Sequence, residues 1–276
     1  MYQSYWGIDQ SPFSGRFDPR FFFESPTHEE ALARLNFLVE QQRRMGLLLG
    51  PAGSGKSFLL DVFAAAMRRQ HRAVVRLALP GREPLEVLGE LLGRLGRPAA
   101  PDRGLPYLWR RLSDSLAEQR FQRTPVVLLL DDAARAEPEV LALLERLSRY
   151  DLSPQTQLTI VLSCEPEGLG ALGRRLLDLV ELRIELEPWE SATASDYLQT
   201  ALSRAGRRQP LFDSAAMERI HQLSGGIPRR VAQLADLALL AGAGSDADRV
   251  SAETIDAVHQ ELVGTAEQHV PAECAR

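Results

Sequence analysis

Four short, almost unbroken apolar runs punctuate the first two-thirds of the chain: GLLL at 46–49, AVVRLAL at 73–79, VVLLLD at 126–131 and LTIVLSC at 158–164. A strand with one wet face alternates apolar and polar residues. These runs do not, so they suit strands covered on both faces. A fifth run, ELRIEL at 181–186, stops before Pro188. Between the runs, apolar residues recur at three- and four-residue spacing in SFLLDVFAAAMRRQ (57–70), PLEVLGELLGRL (84–95), LPYLWRRLSDSLAEQ (105–119) and PEVLALLERLSRY (138–150), which predicts helices. Strands that alternate with helices must pair in parallel through crossovers. The expected architecture is a three-layer α/β/α sandwich with a parallel sheet, and GRPAAPDRG (96–104) is its longest evident loop.

After Trp189 the pattern becomes helical throughout. SATASDYLQTALSRAG, DSAAMERIHQLSG, PRRVAQLADLALLAG and SAETIDAVHQELV are separated by Gly, Pro and Asp breaks. Near the N-terminus, Thr27-His28-Glu29-Glu30 has the form of a capping box, with Thr27 accepting from the backbone of Glu30, ahead of a stripe of Ala31, Leu32, Leu35, Leu38 and Val39. The first 27 residues are aromatic and marked by proline, too irregular for a regular element yet too apolar for a loose tail. The expected organisation is an N-terminal segment at 1–27 packed on the core, an α/β domain at 28–188, a helical domain at 189–264 and a disordered tail at 265–276.

The chain has 276 residues and a formal charge of -5, which disfavours a generic polyanion binder. Its N-terminus lacks a basic start followed by an apolar stretch, and no run approaches the ~20 apolar residues of a membrane span. Two cysteines, Cys164 and Cys274, imply no disulfide framework. These features lead to an expectation of a cytoplasmic protein. One asymmetry is more informative: of 32 basic residues, Lys56 alone is lysine. A thin ammonium stem enters a phosphate cradle that a planar guanidinium would overfill.

That lysine lies in GPAGSGKS at 50–57, which fits G-x-x-x-x-G-K-[ST] between a predicted strand and a predicted helix. Glycines 50, 53 and 55 let backbone N–H groups converge on phosphate oxygens, and the helix start adds partial positive charge. The pattern predicts a nucleoside triphosphate site formed by Gly50, Pro51, Ala52, Gly53, Ser54, Gly55, Lys56, Ser57 and Phe58. Lys56 reaches the phosphates, and Ser57 ligates Mg2+. A second anchor for the metal, directly or through water, is Asp131 at the end of VVLLLD.

The P-loop, the strand ending in paired acids and SGGIPRR at 224–230 together resemble an AAA+ ATPase. More narrowly, the chain is similar to the ATPase domain of the general secretion pathway protein A family. The similarity runs through PF at 12–13, DPRFFFES at 18–25, HEEALARL at 28–35, GPAGSGKS, LLLDDA and LFDSAAMERIHQLSGGIPRRVAQLADLALL at 211–240. It implies ATP and Mg2+ as ligands, the helical domain as a lid, and Arg229 as the arginine that reports on the terminal phosphate. It also implies a homo-oligomer in the ATP-bound state and a secretion or envelope-assembly partner.

The chain departs from the family where hydrolysis is concerned. The family's Asp-Glu is Asp131-Asp132 here, so the residue expected to polarise water is one methylene shorter. A glutamine of the family falls on Glu165, with Ser163 as an alternative hydroxyl donor. The family's Gln-Arg-Ile falls on Asp178-Leu179-Val180, leaving Arg174, Arg175 and Arg183 as substitute finger residues. The resulting expectation is an ATPase and nucleotide-dependent switch or assembly factor with slow or conditional hydrolysis. The alternative is a DNA-associated ATPase of the origin-recognition or transposition type; a P-loop kinase fits the four-helix C-terminal domain poorly. The five histidines show no metal spacing, although the resemblance places His28 near an adenine site. Cys164 is expected to be an inert core residue, and FDPRFFF (17–23) to serve packing or an adenine pocket.

Overall fold

The structure, a computed structural model, describes residues 2–13, 21–100, 103–151 and 157–267. They form two compact units, one continuous (26–187) and one assembled from both ends of the chain (1–25 with 188–276). The chain opens with a five-residue helix, α1 (Tyr2–Trp6), where an irregular segment was expected.

In the continuous unit, β1 (Met45–Leu49), β2 (Ala73–Ala78), β3 (Val126–Asp131), β4 (Leu158–Cys164) and β5 (Leu182–Glu185) form one sheet in the order β2-β3-β4-β1-β5. Every pairing is parallel, with Leu47 beside Leu162 and Ala78 beside Asp131. The two-residue period then sorts side chains to opposite faces. Met45, Leu47 and Leu49, Val75 and Leu77, Leu128 and Leu130, and Ile160 and Leu162 share one core with α4 (Pro84–Arg94), α5 (Leu105–Phe121) and α6 (Pro138–Ser148). The other parity, which includes Arg76, Asp131 and Ser163, lies on the face served by α2 (Pro26–Glu40) and α3 (Lys56–Arg69). The expected three-layer sandwich is therefore present, and a short α7 (Arg174–Leu177) precedes β5.

The capping box at Thr27 does not form. Helix α2 begins at Pro26, a residue suited to a first turn because its missing N–H has no partner there. Thr27 is thereby inside the helix, and its Oγ1 accepts from Glu187 N at 3.3 Å.

The second unit contains α8 (Ser191–Arg204), α9 (Ser214–Ser224), α10 (Pro228–Gly244) and α11 (Ala252–Glu267). Asp213 caps α9, its carboxylate accepting from Ala216 N at 2.7 Å. The described N-terminal residues join this unit: Trp6, Ile8 and Phe13 are buried in its core, and Trp6 Nε1 donates to Leu239 O at 2.7 Å. Phe23, from the FDPRFFF run, packs edge-on against Trp189 and Tyr197, each with ring centroids 5.5 Å away. Of the tail expected to be disordered from 265, α11 continues to Glu267, and 268–276 lie outside the described residues. Among the described residues, no helix is long and apolar enough to cross a membrane.

Candidate nucleotide site

The loop between β1 and α3 is shaped by two close approaches. Gly55 sits at φ 97°, where an L side chain is strained, and a Cβ there would lie 2.8 Å from His28 Nε2. His28, buried on α2, has that same Nε2 3.2 Å from Ser54 O. Burial pushes its pKa down to about 4, so at neutral pH the ring is uncharged and Nε2–H donates to the carbonyl. His28, for which the sequence favours core packing over a place beside adenine, supports the loop itself. Across the loop, a Cβ on Gly50 would come within 2.6 Å of Ser54 Oγ, and that hydroxyl is buried without a hydrogen-bond partner. An orphaned buried hydroxyl inside a glycine loop is what a ligand oxygen would satisfy.

Lys56 is the first residue of α3, and it is buried. Its Nζ donates to Gly50 O at 2.7 Å and Pro51 O at 3.1 Å. Burial lowers its pKa, opposed first by Glu165 and then by Asp132 and Asp131. Three carboxylates therefore act on a single ammonium. Glu165, half-buried where the chain leaves β4, acts most strongly of the three.

The strand-end acids are more tightly held than the sequence suggested. Asp131 is buried; its Oδ1 accepts from the Ser163 hydroxyl and its Oδ2 from Arg76 Nη2 at 2.9 Å. Ser163 Oγ in turn accepts from Asp132 N at 3.0 Å. The Ser163 hydroxyl, considered above as a phosphate donor, spends its proton on Asp131 instead. Asp132 occupies the left-handed region (φ 54°, ψ 43°), which a short polar side chain tolerates better than a long one. Its pKa is raised, by burial first and by Asp131 next, with Lys56 and Arg135 opposing.

Arg76 was missed in the sequence. It is the one charge within the β2 run, and its parity places it on the face of Asp131 and α3. Its Nε lies 2.8 Å from Asp61 Oδ1 as an ion pair without hydrogen-bond alignment, and its Nη2 also donates to Ser57 O at 3.3 Å. Ser57 and Phe58 are half-buried at the start of α3. Among the described residues there is no cluster of three His, Cys, Asp or Glu able to hold a metal. Ser57 and Asp131 carry the oxygens that would face Mg2+, although both Asp131 oxygens already accept hydrogen bonds, and the rest of the metal's shell would come from ligand and water.

The description of the AAA domain family matches residues 39–172, a span containing the loop, β1 to β4 and both strand-end acids. Over 245 residues the chain is 29% identical to the general secretion pathway protein A of Aeromonas hydrophila, covering 87% of this chain and 45% of that protein. It thus spans less than half the length of that relative. Among solved structures, Cdc6p of Pyrobaculum aerophilum superposes with a TM-score of 0.67 at 19% identity, over 92% of this chain and 71% of that one. ORC1 of Aeropyrum pernix, solved in complex with DNA, gives 0.65 at 20% identity over 90% and 69%. The RuvB branch-migration motor of Thermotoga maritima gives 0.57 at 18% identity over 85% and 68%. The chain has the AAA+ P-loop fold.

The remaining residues singled out in sequence fall at definite places in this AAA+ fold. Arg229 is exposed in the first turn of α10, in the helical unit. The turn before it is fixed by Gly226 (φ 70°), where a Cβ would lie 2.2 Å from Trp189 O; Trp189 N donates to Gly226 O at 2.8 Å. Arg174 and Arg175 on α7 and Arg183 on β5 are exposed, whereas Leu179 packs against the core of the α/β unit. Cys164 is buried, and burial pushes its thiol up to about 11, in keeping with an inert core residue.

Proposed function

We propose that the chain binds ATP with Mg2+ in the loop of residues 50–57 and works as a nucleotide-dependent switch whose hydrolysis is slow or conditional. The observation that carries this reading is Lys56: the chain's one lysine is buried at a helix N-terminus inside a glycine loop that contains an unpaired hydroxyl. An ammonium loses hydration on burial, and an anion is the ligand that compensates it best. Gly50 to Phe58 would line the phosphates, with Ser57 and Asp131 toward Mg2+, which supplies charge neutralisation when bound.

Asp132 takes the place of a water-polarising glutamate. Its shorter reach leaves a gap of about 1 Å, and a misplacement of that size lowers rates about 100-fold. Glu165 adds negative charge beside Lys56 where an amide would add none. Arg229 is proposed as the group through which the helical unit senses the terminal phosphoryl, with self-association in the ATP state. A protein partner in secretion or envelope assembly is proposed by analogy with the Aeromonas relative, and a cytoplasmic setting from the composition and cysteine usage of the sequence.

The test is calorimetry with Mg-ATP on the wild type and Lys56→Ala, beside limited proteolysis in ATP and ADP. Binding lost in Lys56→Ala and digestion patterns that differ between ATP and ADP support the switch. Indistinguishable patterns would sink it.

The second reading, a DNA-associated ATPase, draws on the fold shared with ORC1, whose structure contains DNA. Of the arginine pair at 207–208, however, Arg207 is half-buried and donates to Trp6 O at 2.9 Å, leaving Arg208 alone exposed. A DNA mobility shift that requires ATP and weakens steeply with salt would favour this reading over the first.

A further inference from the structure

Arg76 is held by more contacts than a surface ion pair makes. Its guanidinium reaches Asp131 Oδ2 at 2.9 Å, Asp61 Oδ1 at 2.8 Å and Ser57 O at 3.3 Å, bridging β2, the end of β3 and the first turns of α3. The Asp131 side chain is 3% exposed and that of Arg76 22%. With Ser163 on the other oxygen, each oxygen of the Asp131 carboxylate already accepts a hydrogen bond. A guanidinium does not give up its proton near neutral pH, so it cannot yield by neutralising.

A dication approaching Asp131 would therefore meet a carboxylate whose charge is balanced, beside a fixed positive group. Coulomb repulsion between Arg76 and the metal, and the loss of the existing hydrogen bonds, both oppose direct ligation. Asp61 draws the guanidinium toward α3 and thus shares it with Asp131.

We propose that Arg76 is an internal competitor of the metal: it occupies the carboxylate that a nucleotide-bound Mg2+ would use, so the chain binds its nucleotide with little help from Mg2+. Arg76 is thus a positioning residue that sets the metal dependence of the site. The proposal rests on the triphosphate reading given above.

The test is the affinity for a fluorescent ATP analogue, titrated into the full chain once with Mg2+ and once with EDTA. The quantity read is the ratio of the two dissociation constants. In the wild type the ratio should lie within about threefold of unity, and in Arg76→Met it should rise at least about tenfold, because the freed carboxylate then recruits the metal. Asp61→Asn, which leaves Arg76 wholly to Asp131, should not raise it. A wild-type ratio well above tenfold, or an Arg76→Met ratio equal to that of the wild type, overturns the proposal. Should Arg76→Met fail to fold, Arg76→Lys keeps the charge but loses the two-armed grip; a smaller rise supports the proposal and an unchanged ratio overturns it. Absence of nucleotide binding by the wild type in both buffers would instead refute the triphosphate reading, and this inference would fall with it.

Discussion

His28 Nε2 lies 3.2 Å from the carbonyl oxygen of Ser54, so a buried imidazole on α2 props the loop that carries Lys56. Because burial lowers the folded pKa to about 4 from an ordinary 6.5, unfolded chains take up a proton between those values and the folded chain does not. Stability from this residue is complete above pH 6.5 and declines as the pH falls toward 4. The difference is on the order of 3 kcal/mol. Urea midpoints of the wild type should drop across that window more steeply than those of His28→Gln. Parallel slopes would remove His28 as the cause.

Asp132→Glu restores the missing methylene at the end of β3. Turnover of ATP should rise by one to two orders of magnitude, about the penalty for a 1 Å displacement. The left-handed backbone at this position favours the shorter side chain, so the same variant should lose about 1 kcal/mol of stability. A single-turnover assay and a thermal melt on one preparation check both effects; a brisk wild-type rate that the change leaves alone contradicts the account.

The two glycines before α10 should respond very differently to substitution. A Cβ at Gly226 would run into Trp189 O, whereas one at Gly225 meets nothing within 4 Å. Gly226→Ala should cost about 2–4 kcal/mol. Gly225→Asn, compatible with φ 59°, should cost under about 1 kcal/mol. Chemical denaturation of the two variants gives the comparison directly.

Trp6 is 3% exposed, donates its indole N–H to Leu239 O and packs beside Gly242. Trp6→Ala should destabilise the helical unit by about 3–5 kcal/mol, the range for emptying a large aromatic site. The loss should appear in hydrogen exchange of α10 before that of β1 to β4.

How much of this was legible in sequence depends on how far apart the deciding partners lie. All five strands and every helix but the short α1 and α7 follow from local apolar spacing, because each pattern is repeated within its own element. Helix α1 escaped because five residues are too few for a period. Thr27 was misplaced as a cap because Pro26 is a good first residue in its own right, and the hydroxyl found Glu187 instead. The loop and the acid pair were readable as motifs. Arg76 was not, since its meaning comes from Asp131, 55 residues onward and on the adjacent strand. A charge inside an otherwise apolar parallel strand, on the parity of a strand-end acid, was the available signal. The Ser163 hydroxyl was seen, but its direction was settled by Asp131 and Asp132 together.

The helical unit draws its core from both termini, while residues 26–187 form a continuous stretch between them. During translation, Trp6, Ile8 and Phe13 are made before the α/β unit, and their partners on α8 and α10 after it. The α/β unit has all of its strands before then. The aromatic residues at 6–13 therefore wait, exposed and open to chaperones, while the whole α/β unit is made, and are covered only when α8 and α10 follow.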